Sequence, residues 1–162
     1  MTIINILDNR LPCTPHNYYD LSLDSYQIWI YLTRSPAVVH SWLNDIYCIR
    51  CHLNRFIVSL DVKWHLAYTR NIKHPVATLQ LCVGHRCLIF QIIHAPYIPG
   101  SLFGFLGNGK FTFTGVGIKE DAEKLLDDYG LKVANVVDLR VLVGERLGMR
   151  LLEICPQNQF LE

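Results

Sequence analysis

Two acids and one base set the chemistry open to this chain. Asp61 and Lys63 lie in "IVSLDVKW", residues 57–64, and Asp121 lies in "GVGIKEDAEKLL". Around the first pair, Phe56, Val58, Leu60 and Val62 alternate with Ile57, Ser59, Asp61 and Lys63. That period of two predicts a strand, and residues two apart on a strand point the same way. A pair of acids at this spacing would set two carboxylates roughly 7 Å apart on one sheet face. Such a pair suits a hard cation, Mg²⁺ or Mn²⁺, and two such ions can activate a water and stabilise a leaving oxygen in phosphodiester cleavage. Here the second position is Lys63, so Asp61 reads equally as a strand-end acid paired with the base beside it. Asp121 falls in the first turn of a predicted helix, where an acid satisfies the helix dipole. It also lies one turn before Leu125, so its carboxylate can reach the edge of the buried stripe.

Other motifs carry less. "CIRCH", Cys48 to His52, matches a haem-attachment pattern, but it sits where a helix runs out beside a core strand, so thiols buried at a helix end are the better reading. A zinc site drawn from Cys48, Cys51, Cys82 and Cys87 needs a convergent fourth ligand that spacing does not guarantee. "GFLGNGKF", Gly104 to Phe111, approaches a phosphate-binding loop, yet Phe111 stands where Ser or Thr should be, and a strand follows instead of a helix. It reads as a turn.

The elements that must position Asp61 and Asp121 follow from periodicity and breakers. Residues 1–17 show no period and predict an irregular arm. "DLSLDSYQIWIYL" predicts a hairpin turning at Asp24-Ser25. Ser35-Pro36 opens a helix carrying Val39, Trp42, Leu43 and Ile46 at helical spacing. The strand to Trp64 comes next. "VATLQLCV" and "RCLIFQII" are two more strands, joined at Gly84-His85 by a two-residue turn. "IPGSLFGFLGN" gives a short helix or turn and "KFTFTGVGI" a strand. "KEDAEKLLDDYG" is a helix with Ala122, Leu125, Leu126 and Tyr129 as its stripe, a Glu120–Lys124 pair and Gly130 as its stop. "LKVANVVDL" supplies the fifth core strand, and "RVLVGERLG" predicts a last helix. The fold class expected is α/β: a mixed five-stranded sheet, three strands antiparallel and then two parallel, flanked by helices, with an extra N-terminal hairpin and helix. Residues 18–162 form one domain.

Composition sets the outer bounds. The 162 residues are 51% hydrophobic and 18% charged, which fits an ordered single core. A net charge of +1 argues against non-specific coating of nucleic acid, though a local basic groove is compatible with it. The apolar runs fall short of the roughly 18 residues of a membrane span, and Asp8 and Arg10 interrupt the first apolar patch, so an intracellular location, nucleus or cytoplasm, is expected. Six cysteines in such a chain are expected as free, buried thiols.

Four blocks carry a resemblance: "SPAVVHSWLNDI", "IVSLDVKW", "VATLQLCVGHRCLIFQIIHAPYIPGSLFGFLGN" and "FTFTGVGIKEDAEKLLDDYGLKVANVVDLR". In order and in length they resemble the plant Werner-syndrome-exonuclease-like proteins, 3′–5′ exonucleases with four catalytic acids on an RNase H-like fold. The likeness spans about residues 16 to 149. It implies metal-dependent hydrolysis at the 3′ end of single-stranded RNA or DNA, with Mg²⁺ or Mn²⁺ as cofactor. It also implies Asp61 and Asp121 as surviving catalytic metal ligands. The family's first block usually reads Asp-x-Glu, so Lys63 marks a degenerate position. The fourth acid comes from a later helix, beside a Tyr or His that positions the attacking water, and this sequence stops at Glu162 before it; a truncated or misspliced form is expected. Asp138 and Glu145 receive no metal role from the resemblance and are expected in structural pairing or at helix starts.

The departure is large in electrostatic terms. Four carboxylates bring about −4 to two dications, whereas Asp61, Asp121 and Lys63 sum to about −1. Metal binding and activity are therefore expected to be weak or lost. The alternative is a non-catalytic module that binds nucleic acid, or that associates with itself or with full-length relatives.

Overall fold

The computed structural model describes residues 4–8, 16–50, 56–64 and 74–142. Eight strands form one sheet: β1 (Ile4–Asp8), β2 (His16–Leu23), β3 (Tyr26–Thr33), β4 (Phe56–Trp64), β5 (Val76–Val83), β6 (Arg86–Phe90), β7 (Phe111–Gly115) and β8 (Val136–Asp138). Among the described residues they are accompanied by α1 (Pro36–Arg50), α2 (Gly100–Leu106) and α3 (Ile118–Tyr129). The spatial order is β1-β2-β3-β6-β5-β4-β7-β8.

The five expected core strands are β4 to β8. β4, β5 and β6 pair antiparallel, and β7 and β8 add in parallel beyond β4. The expected five-stranded count requires correction. The β2–β3 hairpin does not stand apart but joins the sheet through parallel pairing of β3 with β6, Trp29 opposite Arg86 through Thr33 opposite Phe90. The expectation of an irregular arm over residues 1–17 is corrected as well. Ile4–Asp8 is a strand paired with β2, and His16 and Asn17 already belong to β2. Ile4 and Ile6 do alternate with Asn5 and Leu7, but five residues with apolar groups on both faces give no clear period.

Burial in β4 explains the sheet's sidedness. Val58, Leu60 and Val62 are at most 1% exposed, while Ile57 is 65% exposed. The inward residues share one core with Val39, Trp42, Leu43 and Ile46 of α1, Leu102, Phe105 and Leu106 of α2, and Ile118 and Leu125 of α3. All three helices therefore lie on one face. Chain geometry requires this: β3 to β4, β6 to β7 and β7 to β8 each join parallel strands and advance in the same direction across the sheet. Right-handed crossovers then stack every helix on the same side. Among the described residues, no helix covers the face that carries Ile57, Ser59, Asp61 and Lys63.

Local signals act where expected. The β2–β3 turn falls at Asp24-Ser25, with Asp24 at φ 52°, and the β5–β6 turn uses Gly84 at φ 59°. Pro36 is the first residue of α1. Gly130 closes α3 in the left-handed conformation, its N–H donating to the Leu126 carbonyl. The stretch after α2 is a turn leading into β7, as read.

Three packing expectations change. On α3 the buried residues are Ile118, Asp121 and Leu125, whereas Leu126 is 49% exposed. The buried stripe is rotated toward the helix's first turn, because Asp121 is drawn under the end of β4. Lys124 pairs with Asp128 at 2.6 Å, not with Glu120, because Asp128 is anchored by the Val76 N–H at 2.8 Å and lies at the sheet. Cys82 and Cys87 are not free thiols: they face each other across the β5–β6 hairpin and are disulfide-bonded. Cys48 lies exposed on α1, not buried, which removes both the buried-thiol reading of that residue and any Cys48–Cys82–Cys87 zinc cluster. Cys51, His52, Glu145 and the rest of the last predicted helix beyond residue 142 lie outside the described residues.

At its last residue, Gly115, β7 comes close against the backbone of Leu60 in β4. A Cβ on Gly115 would collide with the Leu60 carbonyl oxygen, which is backbone and cannot swing away. Gly115→Ala is expected to lower the unfolding free energy by about 2 kcal/mol or more, read as a drop in urea midpoint with an unchanged slope. A wild-type midpoint would refute the close approach.

Candidate nuclease-like site

The carboxyl ends of β4 and β7 and the start of α3 meet at one place. β7 ends at Gly115, so beyond Ser59 the β4 edge has no parallel neighbour. Gly117 then takes φ 72°, a left-handed turn that suits glycine, and α3 starts at Ile118. This tight turn drops the first turn of α3 beside β4. The Val62 N–H donates to the Asp121 carboxylate, which takes the role a further β7 residue would have filled. The turn is itself pinned from β8. Asp138 accepts from the Gly117 N–H at 3.1 Å and from the Arg140 side chain at 2.8 and 3.1 Å. It also accepts from the Arg140 N–H at 2.9 Å, where residues 139–142 turn helical. The Arg140 guanidinium holds the Asp138 carboxyl below the usual carboxylate range. Asp138 is thus a structural tie, as its lack of an implied metal role suggested.

Asp61 and Asp121 converge. Asp61 projects from the helix-free face of β4 with its side chain 30% exposed; Asp121 is 2% exposed. Burial first, and the nearby Asp61 charge second, push the Asp121 carboxyl from 3.8 up to about 7. Lys63 and the Val62 N–H act in the opposite sense. One oxygen of Asp121, Oδ2, is buried and has no hydrogen-bond partner among the described residues.

Lys63 completes the group. Its Nζ lies 3.0 Å from Asp61 Oδ1 and 2.8 Å from Asp61 Oδ2. A dication needs several oxygen ligands with free lone pairs, and a two-ion centre needs carboxylates shared between the ions. Here one carboxylate is already held on both oxygens by an ammonium, and the other is buried. Among the described residues no three His, Cys, Asp or Glu side chains gather as a metal site. The residues present do not fit a two-ion centre.

Sequence reasoning missed several residues that hold this corner together. Asp128 and Tyr129 clamp the start of β5: the Tyr129 hydroxyl donates to the Val76 carbonyl at 2.7 Å, opposite the Asp128 contact. Lys124 lies over the Trp64 ring, 5.8 Å from its centroid. The one readable signal was the i, i+4 spacing of Lys124 and Asp128. Gly115, Gly117 and Arg140 gave none, because their roles depend on contacts across strands.

The buried carboxyl has a pH signature. Because the folded value for Asp121 is raised, the folded chain holds that proton more tightly than the unfolded chain. Its favourable contribution is present below 3.8 and is lost as pH rises toward about 7. Asp121→Asn removes that loss. In chelator, the stability of the variant relative to wild type is expected to rise between pH 4 and pH 8, by at most about 4 kcal/mol. Parallel urea titrations at the two pH values check it, and a flat or falling difference would refute it.

No family model matches the chain. Individual proteins do. A 3′–5′ exonuclease of Arabidopsis thaliana is 33% identical over 93 residues, 56% of this chain and 32% of the relative. The mouse bifunctional 3′–5′ exonuclease/ATP-dependent helicase WRN is 34% identical over 92 residues, 56% of this chain and 7% of that protein. A Drosophila melanogaster exonuclease 3′–5′ domain-containing protein 2 is 36% identical over 97 residues, 58% of this chain and 16% of that protein. The chain thus spans about a third or less of the length of these curated relatives. Among solved structures, the EXD2 exonuclease domain superposes with a TM-score of 0.64 at 24% identity, covering 74% of this chain and 61% of that one. The same domain soaked with Mn and dGMP gives 0.63 at 24% identity, covering 74% and 60%. The mixed α/β sheet therefore has the RNase H-like fold of the EXD2 exonuclease domain, and over a little more than half its length this chain is similar in sequence to 3′–5′ exonucleases.

Proposed function

We propose that the chain is a 3′–5′ exonuclease-family domain of the four-acid type, related to the plant enzymes, in which hydrolysis of nucleic-acid 3′ ends is weak or lost. The observation that carries this reading is the meeting of Asp61 and Asp121 at the strand ends with the Lys63 ammonium on Asp61. Convergence of two acids from β4 and α3 supports descent from a metal-dependent centre. The EXD2 exonuclease domain, which shares the fold, was soaked with Mg, Mn and nucleotides. The lysine supports impairment. Asp61 has the Nζ ammonium against both of its oxygens, and Asp121 is buried, so neither carboxylate is openly presented to a water or an ion. The substrate class in this reading is the 3′ end of single-stranded RNA or DNA.

A second reading has its own support. The helix-free sheet face exposes Ile57 at 65%, and the edge strand β1 exposes Ile4 at 60% and Ile6 at 64%. Apolar surface of this kind, with an unpaired strand edge, suits a non-catalytic module that associates with itself or with full-length relatives. A concentration-independent monomer in sedimentation would count against it.

The first reading is tested with 3′-labelled single-stranded RNA and DNA in Mg²⁺ or Mn²⁺, side by side with the EXD2 domain. A repulsion of about 4 kcal/mol per unit charge pair corresponds to roughly a thousandfold, so nucleotide release at least about a thousandfold slower than EXD2 is expected. Any residual release should vanish in Asp61→Asn and Asp121→Asn. Release within tenfold of EXD2 would overturn the claim of impairment.

A further inference from the structure

Resting on the family reading above, the geometry points to a second role for Lys63: its ammonium stands where a divalent ion would sit against Asp61 and bars that ion, so that the substitution closes the site as well as removing a ligand. Two explanations of a missing glutamate are separable. In one, Lys63 is simply not a ligand, and any other non-ligand would do the same. In the other, Lys63 is an internal cation that competes with the metal.

The observations favour competition. Nζ reaches both Asp61 oxygens, at 3.0 and 2.8 Å, so no oxygen of that carboxylate is left without the ammonium beside it. Strand geometry makes this contact local: two residues apart, the side chains share a face and need no tertiary support. The register of β4 against β5 shifts between Lys63 and Trp64, an irregularity of the kind that re-aims side chains at the end of a pairing. Asp121 brings the second, independent sign. Its Oδ2 is buried, at 2% residue exposure, without a partner among the described residues, and both Asp61 and Lys63 act on its charge. The positive charge seated on Asp61 thus also acts on Asp121, and that charge belongs to the chain.

An exposed Asp–Lys pair adds little to stability, and Lys63 is 57% exposed. Its effect on an incoming ion is a different quantity. Even at the dielectric of bulk water, a divalent ion about 4 Å from an ammonium is disfavoured about thirtyfold, and a lower local dielectric increases the factor. The ion must also displace Nζ from the carboxylate it needs.

The test is calorimetric titration of the full chain with MnCl₂ alone. Wild type is compared with Lys63→Gln, which removes the charge without adding a carboxylate, with Lys63→Glu, and with the double variant Asp61→Asn/Lys63→Gln. Lys63→Gln is expected to bind Mn²⁺ at least about tenfold more tightly than wild type. Lys63→Glu should bind more tightly still, and the double variant should lose the gain. Lys63→Met serves as a second neutral variant, with folding of each protein confirmed by circular dichroism. If both neutral variants bind Mn²⁺ no better than wild type, or none binds measurably, the inference is overturned. The readout is independent of cleavage: the barrier stands or falls on the gain in Mn²⁺ affinity of the neutral variants, whereas the exonuclease-family reading stands or falls on the 3′-end assay described above.

Discussion

The close contact between β7 and β4 at Gly115 and Leu60 governs the arrangement of the site. With no side chain at Gly115, the two backbones meet at a distance that a Cβ would forbid. β7 stops there, the chain turns left-handed at Gly117, and the first turn of α3 falls beside the unpaired edge of β4. Asp121 is consequently within reach of the Val62 N–H and of Asp61. The Asp138–Arg140 tie from β8 holds the turn in place. A carboxylate so deeply buried is costly unless compensated, and a single backbone donor together with the Lys63 charge compensates it only in part. The raised Asp121 value reflects that deficit.

Lys63 alters the balance in a way that makes sense of an otherwise poor site. Two converging carboxylates without a counter-charge repel each other, and in a metal-dependent centre the ions relieve that repulsion. Here an ammonium from the chain does so.

Much of the fold was legible because strand and helix periods are local. The strand through Asp61, the hairpin at Gly84, the start at Pro36 and the stop at Gly130 all fall where residue types place them. The blocks resembling exonucleases also pointed to Asp61 and Asp121, which the fold brings near each other. What was not legible depended on residues far apart in sequence. Ile4–Asp8 is a strand only because β2 offers it an edge. Leu126 looked like core, yet the phase of α3 is set by Asp121 reaching β4. Lys124 had acids one turn away on both sides, and the backbone of Val76 decided between them by fixing Asp128. Cys82 and Cys87 met because the hairpin register set them opposite each other, which composition alone does not reveal.

The one-sided stacking of the helices has a further consequence. Since each crossover advances in the same direction, none of the described helices can move to the opposite face without reversing the hand of its connection. Among the described residues the flank bearing Asp61 and Lys63 is thus left open by topology, not by a gap in packing, and no rearrangement of α1, α2 or α3 would shutter it. A strand terminus or a metal ion arriving at the acids from that side meets the lysine on the threshold.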